Sequence, residues 1–170
     1  MPPTRRSHWF AWATVFCLIA IAVTGCSATA KATCEAETAV TPQAGGHLLG
    51  DAAPPVAYSS TPPTSGWHAS GSPRFGVHTA DDALSEPEQV TVLEVGGVMV
   101  TWNVLDEGKQ QELAALVHAQ RRKVASSPYD ALTPGEVVFA AWGVLQRCRG
   151  VDPKALEAFV DRHAGGGPDH

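Results

Sequence analysis

At 170 residues, 44% of them hydrophobic, the chain is long enough to bury the core of one domain and too short for two ordinary ones. The formal charge is -5, and Arg5 and Arg6 are the only charged residues among the first 25, so the remainder sets 10 basic against 17 acidic residues. That balance excludes nucleic acid as a partner, because phosphate binding needs a surplus of Lys and Arg on one face.

Arg5 and Arg6 precede an uncharged, mostly apolar run from Trp9 to Val23 that closes in Val23-Thr24-Gly25-Cys26. A basic head, a short apolar segment, small residues and then a cysteine spell an export signal over 1–25 with a lipobox. The run is short for a membrane span, which takes about 20 residues. The expectation is therefore a lipoprotein whose mature chain starts at Cys26, with a thioether to diacylglycerol and fatty acyl chains (palmitate) as its anchor. An uncleaved anchor and a soluble secreted protein are the alternatives. The expected location is the cell membrane, facing the extracytoplasmic side.

Cys17 goes with the signal and Cys26 with the lipid, which leaves Cys34 and Cys148 as a pair in an oxidising compartment. A disulfide between them would close a loop of about 113 residues, worth on the order of 4 to 5 kcal/mol by the chain-entropy model. The rival reading keeps Cys34 in a floppy tether, away from Cys148. No Cys-x-x-Cys is present, so a thioredoxin-type redox role has no support.

Residues 26–46 are Ala/Thr-rich without apolar periodicity and are expected as a flexible tether. A globular domain is expected over 47–164, with a disordered tail over 165–170. Within it, His47 to Gln89 is dense in Pro, Gly, Ser and Thr and is expected to wrap the core as ordered loops. Its least ordinary part is Tyr58-Ser-Ser-Thr-Pro-Pro-Thr-Ser-Gly-Trp-His68, where Pro62 and Pro63 fix the backbone and Ser65-Gly66 turns it. Asp81-Asp82 and Glu86-Pro87-Glu88 read as solvated turn residues.

Val90 to Trp102 reads as the clearest strand, β-branched and broken by Gly96-Gly97. Leu113, Leu116 and Val117 mark an amphipathic helix over 109–123 that Asp106 caps, and Arg121-Arg122-Lys123 at its end complements the helix dipole. Lys123 to Ser127 is a short strand stopped by Pro128, and Glu136 to Trp142 is a third. Asp152 and Pro153 open the last helix, whose buried face is Leu156, Phe159 and Val160, and Gly165 to Pro168 ends it. The order β-α-β-β-α predicts an α+β fold: a small mixed sheet with two helices on one face and the Pro/Gly-rich segment wrapped on the other. The first two strands are expected to be parallel across the helical crossover, and the third antiparallel.

The Tyr58–His68 segment, then Phe75-Gly76-Val77, Leu93-Glu94-Val95-Gly96-Gly97-Val98, Ser127-Pro128-Tyr129 and Ala140-Ala141-Trp142-Gly143 resemble, in that order, the bacterial domain of unknown function (DUF) family 3105, over about residues 45 to 163. The resemblance implies an exported or membrane-anchored envelope protein without an assigned biochemical role. Two departures stand out: Val95 occupies the place of the histidine in the family's Glu-His-Gly-Gly, and Trp67 that of the proline in Ser-Gly-Pro-His. A site that depends on that histidine is lost or reworked in this chain.

His47, His68, His78 and Glu94 are the polar groups able to converge between the loop and the stretch ending in Gly96-Gly97. Imidazole and carboxylate suit zinc or copper, and His47, His68 and Glu94 are the metal candidates. The competing assignment is structural, with His68 bonded to loop backbone and Glu94 bonded to the Pro-Pro-Thr-Ser turn. Tyr58, Ser65, Trp67, His68 and Glu94 are the candidate ligand-binding residues. Ser59, Ser60 and Ser65 sit in a turn and not on a Gly-x-Ser-x-Gly elbow, and Gly96-Gly97 lacks the spacing and Lys of a phosphate loop. His118 and His163 read as helix-surface residues, and Trp67, Trp102 and Trp142 as core or pocket wall. The reading adopted is a non-enzymatic, lipid-anchored domain without a cofactor, binding an envelope protein or small ligand through the 58–68 loop and Glu94. The alternative is a metal-binding protein or metal-dependent enzyme, degenerate at Val95.

Overall fold

The computed structural model describes Met1 and residues 31–120 and 124–168. The expected export signal, the Cys26 lipid site and the basic run 121–123 lie outside the described residues. Among the described residues nine strands and three α-helices follow one another from Thr33: β1 (Thr33–Cys34), β2 (Thr38–Ala39), β3 (His47–Leu48), β4 (His68–Ala69), β5 (Gly76–Val77), α1 (Glu86–Glu94), β6 (Val98–Trp102), α2 (Glu107–Ala119), β7 (Val124–Pro128), β8 (Glu136–Ala141), β9 (Val144–Arg149) and α3 (Pro153–His163). The main sheet runs β1-β9-β8-β6-β7-β5, with β2 also on β9, while β3 and β4 form a separate parallel pair. It is the mixed sheet of an α+β fold. β6 and β7 are parallel across the α2 crossover, as expected.

The stretch Val90–Trp102 is not one strand. Its first half belongs to α1, and only Val98–Trp102 is extended. Ser85 stands just before the helix, Pro87 lies in its first turn, and the Glu88 carboxylate accepts from Ser85 N and Ser85 Oγ, both at 2.8 Å. These start signals override the β-branched composition. Gln89 to Leu93 are all buried, so the segment shows no helical stripe to be read. Glu86 and Glu88 are therefore helix-opening residues and not solvated turn residues. Gly97 completes the change of direction: a Cβ there would stand 2.6 Å from Val92 O.

The third expected strand, β8, is antiparallel as predicted, but its neighbour is β6 and not β7. The crossover has placed β7 on the other edge of β6. β9 was not foreseen. It follows β8 through a two-residue turn at Trp142-Gly143, where Gly143 has φ +70°, and pairs Ala141 with Val144.

The sheet has two buried faces. Val98, Val100, Val124, Val137 and Phe139 meet Leu113 and Val117 of α2 and Leu156, Phe159 and Val160 of α3. Met99, Ala125, Val138 and Ala140 meet Val92 and Leu93 of α1, with Leu84, Leu132 and Phe75. Two helices cover one face, as the pattern predicted, and α1 joins the Pro-rich segment on the other.

The ends differ from expectation. Part of the tether expected over 26–46 is sheet: β1 and β2 both pair with β9. Cys34 lies opposite Cys148 and the two are disulfide-bonded. Glu37 also binds Arg162 and His163 of α3, a pairing that composition does not reveal. Of the tail expected to be disordered, Gly165 donates its N–H to Gly96 O at 2.7 Å.

Burial raises the Glu88 carboxyl, but the bonds from Ser85 and the ion pair with Arg74 outweigh it and hold the group below its ordinary range. A depressed carboxyl stabilises the fold above its unfolded value, about 4.3, and that stabilisation is lost as pH falls through the folded value. Glu88→Gln keeps a capping amide and removes the charge, so it is expected to cost up to about 1 kcal/mol at pH 7 and to flatten the acid limb of stability against pH. Urea melts between pH 3 and 7 check this.

Candidate functional site

The Pro-Pro turn is buried. Pro62, Pro63, Thr64, Ser65 and Gly66 are all enclosed, as is His68, and Trp67 is half-buried. Its polar groups are assigned one by one to neighbours, as burial requires. Ser60 Oγ donates to Pro62 O, Gly143 N donates to Thr64 O, and Arg147 donates to Thr61 O. Ser65 Oγ accepts from Gln43 N at 2.7 Å. Gln43 reaches back to the loop, donating to Ala57 O and accepting from Ser59 N. Tyr58 donates its hydroxyl to Trp67 O at 2.6 Å, which closes the loop on itself. Gly45 then passes against Gly66 so closely that a Cβ would stand 2.0 Å from Gly66 C.

That close passage sets β3 beside β4, with His47 in register with His68. The two imidazole rings meet edge to face, centroids 4.5 Å apart. Glu94, the last residue of α1, approaches from the third side, held by the packing of the helix on β4 and by the Thr91 hydroxyl, which lies 2.9 Å from Ala69 O. One ligating atom from each of His47, His68 and Glu94 can be chosen so that all three lie within 4.8 Å of one another. A strand pair, a buried loop and a helix end thus converge on one point.

The electronic state of that point follows from His68. Its Nδ1 lies 3.1 Å from Gly66 O, a carbonyl that can only accept, so Nδ1 carries a hydrogen. Nε2 lies 3.0 Å from Glu94 Oε2, yet it is off the line of a hydrogen bond and has no hydrogen-bond partner, in a residue only 5% exposed. With a neutral ring Nε2 presents a lone pair to a carboxylate oxygen, and a shared cation, whether a proton or a metal ion, satisfies both. Two ligands bound at about 2.0 to 2.2 Å to one ion stand on the order of 3 Å apart, and the donor set of two imidazoles and a carboxylate is that of zinc or copper(II). The pairing of Nδ1 with a carbonyl is also the usual way a ligating imidazole is oriented.

Of the four polar groups expected to converge, His78 does not. It lies on another edge, 7% exposed, with Nδ1 2.9 Å from Asp82 and Nε2 3.2 Å from Arg74 O. Glu94 faces His68 and not the Pro-Pro-Thr-Ser turn. Among the ligand-binding candidates, Tyr58 and Ser65 are occupied in holding the loop, and Trp67 supplies the carbonyl that Tyr58 binds. Val95 is 54% exposed and stands outside the cluster, so the departure at that position leaves His47, His68 and Glu94 together. Glu86, expected as a solvated turn residue, has a second role. It accepts the hydroxyl of Tyr129 at the first turn of α1, and its charge also raises Tyr58.

A model of the protein family of unknown function DUF3105 matches residues 51–170. No curated protein and no solved structure matches the chain.

Burial, with the nearby Glu86 charge, pushes the Tyr58 hydroxyl up to about 12. A raised group stabilises fully below its unfolded value, about 10, and that contribution disappears as pH climbs through the folded value. Thermal melts between pH 9 and 12 are expected to show this alkaline loss in the native chain and a smaller one in Tyr58→Phe. Equal slopes would remove the role of Tyr58 in closing the loop.

Proposed function

The chain belongs to the DUF3105 family of proteins of unknown function, and we propose that it is an exported, lipid-anchored binding domain that holds a divalent transition-metal ion through His47, His68 and Glu94. The observation that carries this reading is the buried His68 Nε2, unpartnered and 3.0 Å from a carboxylate oxygen. His68 would ligate through Nε2 and Glu94 through one carboxylate oxygen, with His47 as the exposed third ligand. The ion, once bound, would supply the positive charge that satisfies both lone pairs. Three ligands leave a coordination position for water or a partner's donor atom. Binding is the role assigned to the cluster.

Anchoring rests on the Arg5-Arg6 head, the apolar run and Val23-Thr24-Gly25-Cys26. Among the described residues no helix is long and apolar enough to cross a membrane. Attachment through acyl chains on Cys26 would hold the domain at the extracytoplasmic face of the membrane.

Calorimetric titration of chelator-treated protein, its tag removed, with zinc and with copper(II) is expected to give one ion per chain. His68→Ala and Glu94→Gln should each weaken binding at least tenfold, with a smaller loss for His47→Ala because that ring is exposed. No stoichiometric binding, or binding indifferent to His68→Ala and Glu94→Gln, would overturn the metal reading. The cluster would then be a polar clamp between loop and helix. Separately, intact-mass measurement on the membrane fraction is expected to show diacylglycerol and acyl chains on Cys26, with Cys26→Ser recovered unacylated. A free Cys26 thiol in the native protein would end the anchoring proposal.

A further inference from the structure

The three parallel strands β5, β7 and β6 end along one edge, at Val77, Pro128 and Trp102. Ligands of open α/β sheets lie in the crevice outside the carboxyl ends of such strands. Here that crevice is real. A cavity of about 340 Å³ opens between these strand ends and the α2 face at Gln110, Leu113 and Ala114.

Four features separate it from a mere gap in packing. The first is Ser126, in its wall, 1% exposed and on the same side of β7 as the core residue Val124. The adjacent Ser127 hydroxyl is fully used, accepting from Leu84 N and donating to Pro128 O. Among the described residues the Ser126 hydroxyl makes no hydrogen bond, and it is not one of the fully enclosed polar atoms left without a partner, which leaves it facing the cavity it lines. The second is Val104 on the rim, with φ +47°, a left-handed conformation that β-branched residues avoid and that clusters at ligand sites. The third is exposed apolar surface, for Val104 is 67% and Val77 37% exposed, both at this one opening. The fourth is charge. Among the described residues the lining holds no Lys or Arg, Asp130 is its carboxylate, and the His78 imidazole is turned to Asp82.

We propose that this crevice binds a small, uncharged, mainly apolar ring molecule carrying one polar group, the ring against Trp102 and the polar group on the Ser126 hydroxyl. Anions are disfavoured by Asp130 and by the lack of a cationic side chain among the described residues of the wall. The site is separate from the His47, His68 and Glu94 cluster and does not depend on a metal there.

Indole is the first probe and indole-3-acetate its anionic counterpart, followed by amide NMR shifts of the folded domain. Saturable indole shifts confined to residues 77–80, 102–104, 110–114 and 126–130 are expected, with indole-3-acetate binding at least fivefold more weakly. Ala114→Phe should fill the cavity and abolish binding. Ser126→Ala should weaken indole about fivefold while leaving the melting temperature unchanged or higher, since no internal bond is lost. His68→Ala should bind indole as the native chain does. Shifts that do not saturate, shifts that survive Ala114→Phe, equal binding of the anion, or a marked fall in melting temperature for Ser126→Ala would each overturn the proposal.

Discussion

The burial of the Pro62–Gly66 turn is the constraint on which this structure depends. A proline-stiffened segment cannot enter a sheet ladder, so every amide and carbonyl it buries must find a partner elsewhere. The chain supplies those partners from three directions. Gln43 comes from the N-terminal arm, Gly143 and Arg147 from the turn and the second strand of the β8-β9 hairpin, and Tyr58 from the loop's own start. Each tie fixes one of these parts against the others. His47, from the arm, and His68, from the loop, become neighbours because both segments are held on the same turn.

Much of the architecture was legible. The α3 boundaries follow from Asp152, Pro153 and Gly165, and the α2 start from Asp106, because capping chemistry is local and written in single residues. The two-helix face was legible because Leu113, Val117, Leu156, Phe159 and Val160 keep a helical spacing. α1 was not, since both its sides are buried and its Val-Thr-Val-Leu core resembles a strand. The Ser85-x-x-Glu88 spacing with Pro87 was the signal that could have found it. β9 alternates weakly, and Gly143 was its one marker. Of the N-terminal arm only the Cys34–Cys148 pairing could be read, for its two short strands are stabilised by β9 and not by their own composition.

The metal candidates were legible by residue type and not by spacing. His47, His68 and Glu94 are far apart in sequence and share no motif interval. Their meeting depends on Gly45 passing Gly66 at a distance only a residue without a side chain allows. The crevice is less legible still, because Ser126 reads as an ordinary strand residue until the strand ends and α2 are in place. The two sites also differ in kind. One gathers two imidazoles and a carboxylate, a donor set that would suit a cation; the other offers a ring face and one hydroxyl, which would suit something neutral.

The bond between Cys34 and Cys148 has a mechanical side. Cys34 closes β1, the first strand of the fold, and Cys148 lies in β9, next to the middle of the sheet. Tension applied from the N-terminal side therefore enters the fold through a covalent link to β9 and bypasses the weakly paired arm. Residues 35–48, with His47 at their far end, hang behind that link like slack behind a knot, and carry no load.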